Sequence, residues 1–292
     1  MRVTVVGAGG VGAQTLLELS QTSHHITIID RDIVDDDTLL RQALYAKTDV
    51  GRRKAFAAAE KLGPSFSARC DHLCFENAAT LLSGANIVLD CTDNWATRCA
   101  INHWALKNGK QWIYTSAIRR ETMATTLTPK TPCFVCWNPV PATPRSCRAE
   151  GITREATAAA AKTQVLEFAG LLAGAPRLAG ILQYTDTAAK TCATTPLSKN
   201  PACPACVKKT FRPPAQKAAV LCGDGEYLFE AKTTFSKEAL ASLCPKSFGD
   251  VMKIEWKKGE LVIFKNGRVL SRGLSEANAT AAVEAMVQKQ ER

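Results

Sequence analysis

What this chain lacks narrows its reading first. No apolar run in its 292 residues approaches the roughly 20 that a bilayer-spanning helix needs, and the N-terminus enters a strand-like run without the pattern of a secretory leader. A soluble, cytoplasmic protein with no membrane partner is expected. The four histidines, His24, His25, His72 and His103, show no ligand spacing and read as structural or surface residues. Net charge is +10, yet no basic stretch is interleaved with aromatics, so nucleic acid is unsupported as a partner. The charge suits anionic ligands or an acidic protein surface instead. No repeat of solenoid period occurs. Cysteine, by contrast, is plentiful. Twelve of them without an export signal argue for reduced thiols, metal ligation or catalysis over a disulfide framework.

The chain is organised around residues 3–54. Val3-Thr-Val-Val6 leads into Gly7-Ala-Gly9-Gly10-Val-Gly12, and a second apolar run, Ile26-Thr-Ile-Ile29, ends at Asp30. Strand, glycine turn, helix and strand make a βαβ unit whose helix N-terminus can hold an anionic phosphate. In that pattern Gly7 serves the tight turn, Gly9 and Gly10 keep Cβ atoms out of the phosphate's way, and Gly12 lets helix and strand pack. Asp30 stands where such folds set a carboxylate on ribose hydroxyls. These features alone also fit a nicotinamide oxidoreductase. The side chains beyond Asp30, namely Asp32, Arg41, Gln42 and Lys54, favour a triphosphate, because Arg can fork phosphate oxygens and Lys can add a point charge where pyrophosphate must leave.

Beyond Lys54 the pattern predicts helices over 55–62, 76–82, 95–108 and 155–172, and strands over 67–72, 86–90, 111–115 and 181–186. Asp90-Cys-Thr-Asp-Asn94 ends the fourth strand, at the edge where open α/β sheets bind ligands. Asp93 is placed there to hold Mg²⁺ on a bound triphosphate, and Asp93 or Asn94 to cap the next helix. Cys133-Phe-Val-Cys136 and Cys203-Pro-Ala-Cys206 are two matched knuckles, expected to give a closed four-sulfur, structural Zn²⁺ site. Cys70, Cys74, Cys91 and Cys99 read as small buried apolar residues.

Taken together, the glycine turn, Asp30-x-Asp32-x-Val34, Leu39-x-Arg41-Gln42, Val50-Gly51-x-x-Lys54, and Asp90-Cys-Thr-Asp-Asn94 with Arg98 and Asn102 resemble the ThiF/MoeB adenylyltransferases, relatives of the ubiquitin-activating enzymes. The resemblance runs from Arg2 to Cys206. It implies ATP contacts at Gly10, Asp30, Arg41, Lys54, Asp93 and Asn94, a homodimer, and transfer of AMP to the C-terminal glycine of a small ubiquitin-like sulfur-carrier protein ending in Gly-Gly. It also implies that Cys147, on a proline-rich insertion and flanked by Arg145 and Arg148, takes up the activated carrier, with Cys192 second in line. Because adenylation itself needs no cysteine, Cys147 as a bystander stays open. Two features depart from the family. Thr38 stands where Asn is usual, and the first strand begins without the helical segment whose arginine reaches a partner subunit's ATP. A non-catalytic zinc-stabilised scaffold that binds such a carrier is therefore the alternative, with the nicotinamide oxidoreductase behind it.

Phe211-Arg-Pro-Pro214 breaks the chain, which divides the expected architecture into residues 1–211 and 212–292. The first is a Rossmann-like, doubly wound, mostly parallel α/β domain with the zinc site. The second is a small α+β domain with strands over 218–222, 227–231, 251–257, 260–265 and 268–272 and helices over 236–243 and 275–288. Asn266-Gly267 marks a tight hairpin in it. Leu221-Cys-Gly223 and Val262-Ile-Phe-Lys-Asn-Gly-Arg268 resemble the domain appended to some archaeal and bacterial family members, whose implied role is carrier or partner recognition.

Overall fold

In strand β1 (Arg2–Val6), Val3 and Val5 point to one side and Val6 to the other, and all three are buried. A strand apolar on both faces has to lie inside a sheet covered on both sides, and the computed structural model places it there. It describes residues 1–138, 151–211, 219–222, 226–231, 233–248 and 251–290. These fall into two compact units, one ending at Phe211 and the other beginning at Ala219.

The first unit holds β2 (His25–Ile29), β3 (Phe66–Arg69), β4 (Ile87–Asp90), β5 (Gln111–Ile118), β6 (Glu121–Leu127), β7 (Ile181–Asp186) and β8 (Thr191–Pro196) besides β1. They form one eight-stranded sheet in the order β3-β2-β1-β4-β5-β6-β7-β8. From β3 to β5 every pairing is parallel, and from β5 onward every pairing is antiparallel. The chain leaves β1 toward β3, then returns to build β4 and β5 on the other side. That reversal opens a crevice beyond the carboxyl ends of β1 and β4.

Helices cover both faces. On one side α1 (Gly10–Leu19), α2 (Asp36–Arg41), α3 (Lys54–Leu62) and α7 (Arg154–Leu172) contribute Leu16, Leu19, Leu39, Ala55, Ala58 and Phe168 to a core with Val5, Ile28 and Leu89. On the other, α4 (Ala78–Leu81), α5 (Trp95–Asn108) and α6 (Phe134–Trp137) pack Ala78, Ile101, Trp104 and Phe134 against Val6, Val88 and Trp112. Among the described residues no helix is long and apolar enough to cross a membrane.

Two strands of this sheet, β6 and β8, have no counterpart in the expected elements. β6 is rich in threonine, whose buried hydroxyls find partners that a hydropathy pattern cannot register: Thr126 donates to Glu167 at 2.7 Å and Thr125 to the Leu178 carbonyl at 3.2 Å. β8 is exposed along its whole length.

The second unit is a six-stranded antiparallel sheet ordered β11-β12-β13-β14-β10-β9, with β9 (Ala219–Cys222), β10 (Glu226–Glu230), β11 (Lys246–Phe248), β12 (Val251–Trp256), β13 (Gly259–Phe264) and β14 (Arg268–Arg272). Helix α8 (Glu276–Gln290) lays Ala279, Ala282, Val283 and Met286 on Met252, Ile254, Leu261, Ile263 and Val269. At the β13–β14 hairpin Gly267 takes φ +85° and its N–H closes the turn on the Phe264 carbonyl at 3.0 Å. A Cβ there would sit 2.4 Å from the Thr233 oxygen, which accounts for the glycine. The helix expected over 236–243 is not formed. A short 3-10 turn, Ala241–Leu243, stands in its place, because only Phe235 and Leu240 need burying there and Pro245 stops continuation.

Candidate nucleotide site and four-cysteine cluster

The crevice beyond β1 and β4 is lined first by the glycine turn. Gly7 adopts φ +93°, and a Cβ on it would lie 2.7 Å from the Cys91 carbonyl. On Gly12 a Cβ would fall 1.9 Å from the Gly7 oxygen, so both glycines are demanded by close approach of backbone to backbone. Gly9 faces open space, as a phosphate cradle requires. A Cβ added to Gly10 would meet Thr157 of α7 at 3.0 Å. The small size of Gly10 serves helix packing. The N-cap of α1, Gly9, offers no capping side chain, so the first-turn N–H groups other than that of Gly10 keep no intrahelical partner and can serve a ligand in the crevice.

Asp30 binds the turn together. One of its carboxylate oxygens accepts the Ala8 N–H at 2.6 Å and the other the Asp32 N–H at 2.7 Å. Each oxygen retains a second lone pair for a hydroxyl. Burial and the neighbouring Asp32 raise its pKa, against Lys54 and the two N–H groups. Lys54, the first residue of α3 and 7% exposed, reaches Asp32 with Nζ at 3.3 Å, and its N–H donates to the Asp32 carbonyl at 2.9 Å. Gln42 sits over the turn with its amide nitrogen 3.2 Å from the Ala8 carbonyl and its oxygen 3.3 Å from the Gly10 N–H. The side chain of Arg41 lies outside the described residues.

Tyr45, buried, donates its hydroxyl to the Ala8 carbonyl at 2.9 Å and approaches that of Lys54 at 3.4 Å. Burial, then Asp30, Asp32 and Asp49, push its phenol well up, which keeps it a donor. No motif pointed to it. Thr38, expected as an altered contact near the nucleotide, has its hydroxyl engaged in a capping box with Asp35 at the start of α2, donating at 2.6 Å.

Across the crevice, Asp90 is fully buried and its Oδ1 accepts both the N–H and the hydroxyl of Thr92, at 2.9 and 2.6 Å. Burial raises its pKa, with Arg98 and Thr92 opposing. Asn94 caps α5, accepting the Thr97 N–H at 2.8 Å. Asp93 has a side chain 43% exposed, with the Arg31 guanidinium 3.9 Å away. Arg31 in turn meets His72 Nδ1 at 3.3 Å, so His72 lines this rim rather than open surface. Cys91 is hydrogen-bonded rather than merely apolar. Its thiol donates to Gln164 Oε1 at 3.1 Å, and burial pushes it up to about 12.

The four cysteines of the two knuckles converge. All four Sγ atoms lie within 4.8 Å of one another, with Cys133 3.8 Å from Cys136 and 3.7 Å from Cys203, and Cys136 3.4 Å from Cys206. A tetrahedral Zn²⁺ bound at about 2.3 Å sets its sulfurs about 3.8 Å apart, so the cluster fits that ion. Burial and its three sulfur neighbours raise the Cys133 thiol, the repulsion that a divalent cation relieves. Cys147, Arg145 and Arg148 lie outside the described residues. Cys192 is exposed on β8.

The model of the ThiF family matches residues 1–205. The SAMP-activating enzyme E1 of Haloferax volcanii is 32% identical over 218 residues, covering 70% of this chain and 80% of that protein. The sulfur carrier protein ThiS adenylyltransferase of Bacillus subtilis is 29% identical over 303 residues, covering 94% of this chain and 89% of the other. Against the probable adenylyltransferase/sulfurtransferase MoeZ of Mycobacterium tuberculosis, 33% identical, the chain spans 56% of that protein's length. Among solved structures, E. coli MccB crystallised with ATP has a TM-score of 0.60 at 16% identity, over 70% of this chain and 66% of that one, which is a likeness of fold.

Proposed function

Because this chain belongs to the ThiF family, we propose that it is an ATP-dependent adenylyltransferase that activates the C-terminal glycine of a small ubiquitin-like sulfur carrier ending in Gly-Gly. The observation that carries this reading is the crevice itself. The N-terminus of α1, Asp30, the Lys54–Asp32 pair and the exposed Asp93 lie at one carboxyl edge of the sheet. A phosphate chain needs such a set of positive dipole, fixed cation and metal-holding carboxylate.

In this reading the α1 N-terminus receives phosphate oxygens and Asp30 holds the ribose. A carboxylate oxygen of the carrier attacks the α-phosphorus, the bond to the bridging oxygen of pyrophosphate breaks, and pyrophosphate leaves with the electron pair. Lys54 and Arg41 offset the charge that gathers on the departing group. Asp93 would hold Mg²⁺, which neutralises the phosphates when bound. Cys133, Cys136, Cys203 and Cys206 would hold Zn²⁺ in a closed, structural site. Cys147 would then attack the acyl-adenylate as a thiolate, forming a thioester and releasing AMP. We further read the protein as a cytoplasmic homodimer, with residues 212–292 as a partner-recognition domain appended to the catalytic domain, residues 1–211.

ATP–pyrophosphate exchange in the presence of a Gly-Gly carrier tests the assignment. Exchange should fall at least about 100-fold in Asp93→Ala and Lys54→Ala, a loss of the size seen when groups that stabilise transition-state charge are removed, and survive in Cys147→Ala. A folded parent chain that gives no exchange with several such carriers would contradict it.

A further inference from the structure

The cysteine cluster stands beside the nucleotide crevice in one specific way. The segments that follow its two knuckles both reach Trp95, the first residue of α5, immediately after Asp93 and Asn94. The indole N–H of Trp95 donates to the carbonyl of Asn138, two residues beyond Cys136, at 3.2 Å. A second contact comes from Phe211, five residues beyond Cys206, whose ring meets the Trp95 ring in a T-shaped pair with centroids 6.0 Å apart.

A second line of contacts runs in parallel. Between Cys133 and Cys136 the buried Phe134 and, just beyond, Trp137 pack against Tyr114, at 5.7 and 5.3 Å between centroids. Tyr114 faces the Arg98 guanidinium at 4.8 Å. Arg98 donates to the buried Asp90 carboxylate at 3.3 Å and to the Thr92 carbonyl. From the same helix Asn102 accepts the Phe134 N–H at 2.9 Å, one turn after Arg98. The cluster thus grips α5 at Trp95, Arg98 and Asn102, and through Arg98 the loop 90–94 as well.

A site that only stabilised the domain could be attached anywhere on this face. We propose that Trp95 is a positioning residue: through it the metal-bound cysteine cluster holds Asp93 and Asn94 in place, so that metal loading sets nucleotide affinity as well as stability. The Trp95 indole is anchored by one hydrogen bond and one ring contact to the segments that follow the two knuckles, at the point where the loop enters α5. The link to nucleotide affinity rests on the adenylyltransferase reading, whereas the mechanical link between cluster and loop does not.

Hydrogen–deuterium exchange of the full zinc-loaded chain, compared with Trp95→Ala, Trp95→Phe and chelator-treated protein, tests it. Losing one hydrogen bond and one ring contact should speed exchange in peptides covering 90–98 by about tenfold in Trp95→Ala, with zinc content and exchange over 10–19 unchanged. Chelation should give the same local signature before the domain unfolds. Trp95→Phe keeps a ring against Phe211 and should fall between. ATP dissociation constants, measured by titration well below each variant's Tm, should rise in the same order. Unchanged exchange over 90–98 in folded, zinc-loaded Trp95→Ala would overturn the proposal, as would a locally loosened loop with unchanged ATP affinity. A parent chain that binds no ATP, while its 90–98 exchange still follows zinc, would count against the nucleotide reading and leave the mechanical link standing.

Discussion

Single residues at this crevice satisfy backbone groups that the glycine turn leaves exposed. Tyr45 is the instance that no motif revealed, because a phenol three positions after Gln42 has no characteristic spacing. Its hydroxyl tethers the Ala8 carbonyl, which the Gln42 amide also reaches. Tyr45→Phe should therefore lower stability by about 1–2 kcal/mol, read as a shift of the urea midpoint. Asp49 makes a pH-dependent contribution. Burial pushes its carboxyl up, but Lys61, the Ala46 N–H and Arg52 together outweigh that and hold it below the usual carboxylate range. A depressed folded pKa means that the stabilisation is present above the unfolded value, about 4, and is lost as pH falls through the folded one. Asp49→Asn should lower Tm at neutral pH, and the gap to the parent should close as pH falls below the ordinary carboxylate range. A gap that stays constant throughout that acidification would remove the carboxylate from the explanation.

At the scale of elements, α7 is held by a polar pin as much as by its alanines. Gln164, fully buried, accepts from Thr15 of α1 at 2.9 Å and from Cys91 at 3.1 Å, and donates to the Asp90 carbonyl at 2.9 Å. One side chain ties the helix to α1 and to the end of β4. Replacing it by leucine strands several buried polar groups and should cost about 2–4 kcal/mol in denaturant unfolding, whereas an exposed neighbour such as Lys162→Leu should change little. The parallel strands and α1, α3, α5 and α7 were legible in the sequence because apolar periodicity and glycine punctuation specify them. β6 and β8 were not. One is stabilised by threonine hydroxyls that find carboxylate and carbonyl partners 41 and 53 residues away, and the other buries nothing. The expected 236–243 helix failed for the converse reason, since an apolar pair five residues apart needs only a turn to be buried.

For the whole molecule, sequence motifs name the residues of the candidate crevice but not the contacts that hold them. Asp30, Lys54 and Asp93 could be named from spacing and resemblance. That Asp30 spans the turn, that Gly10 serves α7, and that the cysteine cluster grips α5 depend on contacts between segments far apart in the chain. The cluster's thermodynamic weight is a molecular property. Structural zinc contributes on the order of 10 kcal/mol in small domains, so prolonged chelation should lower Tm of the first unit far more than any single substitution above. Cys133→Ser and Cys203→Ser should reproduce that loss. The central claim is transfer of AMP to a carrier carboxylate, and one experiment reads it directly. With ATP labelled at the α-phosphate, a Gly-Gly carrier and Cys147→Ala to stop onward transfer, labelled AMP should appear bound to the carrier, stoichiometric with pyrophosphate released and absent in Asp93→Ala. Label that stays on ATP, from a folded chain that binds both ATP and carrier, would contradict the adenylyltransferase assignment and favour a binding scaffold.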